Sequence, residues 1–149
     1  STLCETPEMA RYLLDVNVLL ALFDPGHISH DSTHEWWANL KSKEWATCPL
    51  TENGFARVIS NPKYPSVETD VFEAFKRLKT FANKSSHKFW PDSISLIRED
   101  LPQLGPNQIT DYYLIVLAKA NQGQLATLDK RLVNAWKGKT LSDSIELIP

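Results

Sequence analysis

The feature that most constrains this chain is the run Arg11–Val16, apolar after its arginine up to a carboxylate at Asp15. After Asn17 it is followed by a second apolar segment, Val18–Phe23. A strand buried on both faces of a parallel sheet reads as a continuous hydrophobic run rather than an alternating one. Asp15 therefore stands at the C-terminal end of such a strand. In open parallel sheets ligands bind outside the carboxyl ends of the strands, so the question becomes what else the chain delivers to that edge.

The pattern recurs along the sequence. Trp45–Cys48 reads as a short apolar strand closed by Pro49, Lys88–Trp90 as another stopped by Pro91, Leu125–Leu128 as one ending on Asp129, and Ser144–Ile148 as the last. Between them lie helical stretches. Asn17–Phe23 is stopped by Asp24-Pro25-Gly26, and Ser29–Lys43 carries Trp36, Trp37 and Leu40 at core spacing. A helix capped by Thr51 runs to Asn61-Pro62, and Val67–Ala82 carries a stripe of Val71, Phe72, Phe75, Leu78 and Phe81. A short helix passes through Ile94, Leu96 and Ile97; Gln108–Gln122 is apolar nearly all round and ends at Gly123; Lys130–Trp136 is the last. Strands alternating with helices predict an α/β fold, a three-layer α/β/α arrangement with a mainly parallel central sheet. Right-handed crossovers then put every strand-to-helix junction on one edge.

With 149 residues, the chain suits one domain over 11–149 behind a polar arm at 1–10. It has no run of about 18 apolar residues to span a bilayer and no basic-then-apolar leader before Arg11. The expectation is a soluble, cytoplasmic protein with no membrane partner. Cys4 and Cys48 lack metal-ligand spacing and are expected to be reduced thiols. A net charge of −2 speaks at first against a polyanionic partner. If four of the 18 acids are committed to a metal, however, the remaining 14 face 16 basic residues, which permits a local basic surface.

Topology gathers those four acids. Asp15 ends the first strand, Glu52 lies in the first turn of the helix after the second, Asp111 opens the buried helix, and Asp129 ends the strand after it. A strand order of about 3-2-1-4-5 would set the Asp15 and Asp129 ends side by side. Clustered carboxylates repel one another unless a cation neutralises them, and oxygen-only ligands suit Mg²⁺ or Mn²⁺. The chemistry implied is metal-assisted phosphodiester hydrolysis, with helix N-termini near Glu52 and Asp111 favouring an incoming phosphate. Each acid alone has a blander reading, as a helix cap or a first-turn acid answering the helix dipole.

The segments Leu13-Leu14-Asp15-Val16-Asn17-Val18-Leu19-Leu20, Leu50-Thr51-Glu52-Asn53-Gly54-Phe55, Thr110-Asp111-Tyr112-Tyr113-Leu114 and Leu125-Ala126-Thr127-Leu128-Asp129 together resemble a PIN-domain ribonuclease of the VapC type, the toxin of a bacterial toxin–antitoxin pair. The resemblance covers nearly all of 11–149. It implies a metal-dependent endoribonuclease in which Asp15, Glu52, Asp111 and Asp129 hold one or two Mg²⁺ or Mn²⁺ ions. Asn17 and Thr127 would stand behind those ligands or on the phosphate side. It also implies RNA as substrate, a cognate antitoxin and a homodimer. Val16 departs from the small or polar residues, commonly Thr, that are frequent there in the family.

His27, His30 and His34 lack a third zinc ligand and are expected to face solvent or cap helices, within reach of RNA or antitoxin. Lys76, Arg77 and Lys79 open an acid-free basic stretch that is either a solvated helix face or a phosphate-tracking patch. Arg57 is a further candidate for phosphate or antitoxin contact. The five tryptophans fit core or dimer-interface packing better than base stacking. A haloacid-dehalogenase-type phosphatase lacks its second Asp here, because Asn17 occupies that place, and a receiver domain fits no better. The alternative from another class is a catalytically silent protein- or RNA-binding module on the same fold.

Overall fold

The computed structural model describes residues 10–41 and 44–149. Except for Ala10, the expected arm at 1–10 lies outside these residues, as does Cys4. The chain runs β1 (Arg11–Leu14), α1 (Val16–Phe23), α2 (His30–Asn39), β2 (Glu44–Thr47), α3 (Pro49–Ile59), α4 (Val71–Asn83), β3 (His87–Phe89), α5 (Ile109–Ala120), β4 (Gln124–Thr127), α6 (Lys130–Trp136) and β5 (Ile145–Leu147). The five strands form one sheet in the order β3-β2-β1-β4-β5, parallel at every pairing. This matches the expected order and places the topological switch at β1 and β4.

The alternation of side chains along each strand divides the core in two. Tyr12 and Leu14 of β1 pack with Trp45, Ala126 and the buried residues of α1, α3 and α4. Leu13 packs on the opposite face with Ala46, Leu125 and the apolar residues of α5 and α6. Helices therefore cover both faces, and the all-parallel sheet is buried as such sheets must be. Trp36, Trp45, Trp90 and Trp136 are buried, and Trp37 packs partly buried against the first cluster. The indoles thus fill the interior, where each contributes about 2–3 kcal/mol by burial.

Several local expectations shift. Thr51 is not the cap of α3: the cap is Cys48, with Pro49 in the first helical position, where its fixed φ and missing N–H cost nothing. Thr51 instead closes the first turn from inside, accepting from the Cys48 N–H (3.0 Å) and donating to the Cys48 carbonyl (3.1 Å). Helix α4 begins at Val71 rather than Val67 because the Asp70 carboxylate caps it, accepting from the Glu73 N–H at 2.8 Å. Of its expected stripe only Leu78 is fully inside, joined by Ala74, while Phe72 is 75% exposed. The short helix through Ile94 and Ile97 is a single 3-10 turn, Leu96–Arg98, since Ile97 has nothing to pack against.

At the end of α5 the left-handed residue is Gln122 (φ 56°) rather than Gly123. The Gln122 N–H bonds the Lys119 carbonyl and the Gly123 N–H the Ala118 carbonyl, the paired bonds of a Schellman closure. Gly123 is needed for space: a Cβ there would sit 2.7 Å from the Arg11 carbonyl and 2.9 Å from the Trp90 ring. Among the described residues no helix is long and apolar enough to cross a bilayer. Cys48 is a buried free thiol.

Candidate functional site

Asp15 leaves β1 and caps α1, its Oδ1 accepting from the Val16 N–H at 2.9 Å. Its Oδ2 accepts from the Thr127 hydroxyl at 2.9 Å, and its own N–H donates to the Ala126 carbonyl at 3.0 Å. Thr127 in turn accepts from the Asp129 N–H at 3.1 Å. The ends of β1 and β4 are thereby stitched together, and the carboxylates that follow them share one edge. Asp129 caps α6 through Oδ1, accepting from the N–H groups of Arg131 and Leu132 (2.9 and 3.3 Å). Asn17 adds a longer bond, its Oδ1 accepting from the Leu128 N–H at 3.4 Å.

Asp111, in the first turn of α5, reaches the same edge. Together with Asp129, Asn107, Gln108 and Arg131 it lines a cavity of about 230 Å³. Electrostatics register the convergence. Burial first, then the charges of Asp15 and Asp129, push the Asp111 carboxyl up to about 6. Burial raises Asp15 as well, with repulsion from Asp129 adding to it and the hydrogen bonds from Thr127 and Val16 opposing it. The capping reading of Asp15 and Asp129 is correct as far as it goes and leaves room for a second role. A carboxylate offers about four lone-pair sites, and the caps use only part of them.

The structure does not bring Glu52 into this group. Its Oε2 accepts from the Thr47 hydroxyl at 2.6 Å, and it lines a separate groove of about 270 Å³ with Thr47, Phe75, Lys79 and His87. Among the described residues no three His, Cys, Asp or Glu side chains stand together closely enough to clasp an ion. Asp15, Asp111 and Asp129 nonetheless offer only oxygen donors along one edge, Asp15 and Asp111 with raised carboxyls, the chemistry that suits a hard divalent cation.

The remaining candidates divide. Arg57 is exposed near the end of α3. Arg77 is committed to the fold: it donates to the Phe23 carbonyl at 2.9 Å and lies over the Phe23 ring at 5.5 Å. Lys76 makes a 4.0 Å exposed pair with Glu73, while Lys79 faces the Glu52 groove. His30 and His34 cap the end of α1, at 2.7 Å from the Ala21 carbonyl and 2.9 Å from that of Leu22. The His27 ring accepts from the Ser29 N–H at 3.0 Å.

Sequence reasoning passes over Thr47, which bonds Glu52, and counts His87, on the other side of that hydroxyl, only within the basic stretch from Lys76 to Lys88. A hydroxyl at the end of an apolar strand, placed on β2 as Thr127 is on β4, was the signal for Thr47.

A family model described as the PIN domain matches residues 12–137. Ribonuclease VapC44 of Mycobacterium tuberculosis is 40% identical over 126 residues, covering 82% of this chain and 88% of that protein. Ribonuclease VapC38 of the same organism is 40% identical over 118 residues, covering 78% and 84%. Among solved structures, the fold is similar to that of Mycobacterium tuberculosis VapC20, described as a sarcin–ricin-loop-cleaving toxin. The TM-score is 0.55 at 12% identity, over 83% of this chain and 94% of that one. The sheet order, the aspartates gathered at its carboxyl edge and these likenesses converge: the chain belongs to the PIN-domain family, alongside the VapC ribonucleases.

Proposed function

We propose that this protein is a metal-dependent endoribonuclease that hydrolyses RNA phosphodiesters in the cytoplasm as the toxin of a toxin–antitoxin pair. The observation that carries the reading is the stitching of β1 to β4 through Thr127, which brings Asp15 and Asp129 to one edge beside Asp111. The family and the names of the relatives support ribonuclease chemistry.

Asp15, Asp111 and Asp129 would hold one or two Mg²⁺ or Mn²⁺ ions, with Glu52 completing the set from the neighbouring groove. When bound, such an ion polarises the scissile phosphate and makes a water more acidic. The chain's own residues supply orientation. Thr127 fixes one oxygen of Asp15 and the backbone of Asp129, and Asn17 ties α1 to the same turn. The N-terminal turns of α1, α3 and α5 open on this edge and favour a polyanion. A cognate antitoxin and a homodimeric state belong to the same reading.

The test is incubation of a mixed cellular RNA pool with the purified protein in Mg²⁺, Mn²⁺ or chelator, followed by mapping of new ends. Discrete cuts that require the cation and disappear in Asp15→Asn are the expected result. A folded, antitoxin-free protein that cuts nothing with either cation would instead be the catalytically silent binding module.

A further inference from the structure

Thr47 is wholly buried, and its hydroxyl stands between two functional groups: Glu52 Oε2 at 2.6 Å and His87 Nε2 at 2.7 Å. A hydroxyl carries a single proton. Donation to the carboxylate is short and charge-assisted, so that proton belongs to the Thr47–Glu52 bond. Thr47 Oγ1 must then accept from His87, which fixes the imidazole as the tautomer bearing its hydrogen on Nε2. The direction of the whole chain follows: His87 to Thr47 to Glu52.

The imidazole is held as firmly as the hydroxyl. His87 pairs with Trp45 across β2 and β3, and the two rings lie with centroids 4.5 Å apart. The Trp45 indole N–H is spent on the Ser85 hydroxyl at 2.8 Å, and the backbone N–H of His87 donates to the Ser85 carbonyl at 3.0 Å. The groove holding Glu52 is lined by His87 and Thr47 on one side and by Phe75, Leu78 and Lys79 of α4 on the other. Strand β3 and helix α4 thus reach the one proposed ligand that does not join the three aspartates.

We infer that Thr47 and His87 are positioning residues for Glu52, orienting its carboxylate at the rim of the cation site by a directed hydrogen-bond chain. This rests on the reading of Glu52 as a ligand under the proposed function. The chain engages Oε2 of the carboxylate. Without it, a long side chain near the start of α3 samples its rotamers freely, and any ion must order it at the time of binding.

The test uses full-length protein and Mn²⁺ alone, without RNA, with affinity measured by calorimetry. His87→Phe keeps an aromatic ring on Trp45 but removes the donor, and Thr47→Val keeps the shape but removes the hydroxyl. Each is expected to lower Mn²⁺ affinity by about tenfold. Thr47→Ser and His87→Gln, which retain a hydroxyl and an Nε donor, are expected to restore most of it. A merely structural role would not produce that rescue. Nitrogen NMR of the wild-type imidazole supplies a cation-independent check, with the proton expected on Nε2. Unchanged affinity in folded His87→Phe and Thr47→Val, or a proton on Nδ1, would overturn the inference while leaving the aspartate site standing. Wild-type protein that binds no Mn²⁺ would remove the metal reading and the positioning role together.

Discussion

At the scale of single residues, the aspartates proposed to hold the cation carry a cost to the fold in its absence. Asp111 is pushed up to about 6 by burial and by its neighbours Asp15 and Asp129, against an ordinary value of about 4. The folded chain thus holds this proton more tightly than the unfolded one. Between these values Asp111 makes stability fall as pH rises, and above them its full penalty is present. Asp111→Asn removes the penalty and is expected to stabilise the cation-free protein at neutral pH by about 1–2 kcal/mol after allowance for solvent screening, while abolishing cleavage. Urea unfolding in chelator at acidic and neutral pH checks both the sign and the window. Asp24 shows the opposite balance. Burial raises its carboxyl, but hydrogen bonds from Ser66, Tyr64 and the Gly26 N–H outweigh burial and bring it below its ordinary value. The two hydroxyls donate at 2.6 Å, and Tyr64 is itself pushed up to about 12 by burial and by Asp24. The stability from Asp24 is present above its unfolded value and is lost as pH falls through the folded one. Asp24→Ala takes the charged acceptor from the half-buried Tyr64 hydroxyl and from exposed Ser66 and is expected to cost about 1.5–3 kcal/mol, read from the denaturation midpoint, without a change in Mn²⁺ affinity.

At the scale of elements, close approach decides what is tolerated. Helix α1 meets α3 where a Cβ on Gly54 would lie 2.7 Å from a Val16 methyl. The unusual Val16 is therefore accommodated by the missing side chain opposite it. Gly54→Ala is expected to destabilise by about 1–3 kcal/mol through overpacking, and adding Val16→Ala to relieve part of that clash, because the methyl that the new Cβ meets is then gone. Thermal unfolding of the two variants would decide this. The capped elements also explain which expectations moved. Val67 already fits the apolar period, which hides Asp70 as a helix start, but it is the Asp70 carboxylate that receives the Glu73 N–H. The periodic stripe of α4 was legible, yet period alone does not say whether a neighbour covers it: Phe72 and Val71 stay exposed while Phe81 packs at 5.0 Å on Trp45.

At the scale of the whole molecule, a cation held as proposed would couple binding to folding through the carboxyl edge. A cation bound to the folded chain alone stabilises it by about 1.4 kcal/mol at tenfold excess over Kd, or about 3–6 °C in Tm for a domain of this size. That rise should vanish in Asp15→Asn. The basic surface is narrower than its sequence suggested, because Arg77 holds the end of α1 and Lys79 faces the groove. Lys79→Glu is expected to weaken RNA binding and to flatten its salt dependence by about one unit of slope or more. Arg77→Glu should act mainly by lowering stability, and a salt titration of both variants separates the two effects.

The sequence by itself determined the parallel sheet, its order and the edge on which the acids lie, because continuous apolar runs and right-handed crossovers leave few alternatives. It also placed Asp15 and Asp129 at strand ends, where the polar residue marks the boundary of each run. Only the tertiary structure decided which acids meet: Thr127 draws Asp15 to Asp129, while Thr47 holds Glu52 in the neighbouring groove. For Asp15 and Asp129 that choice depends on a hydroxyl brought to 2.9 Å from Asp15 by the pairing of β1 with β4, between residues 112 apart. No local periodicity records such pairs, since a single hydrogen bond depends on where two remote backbones come to rest.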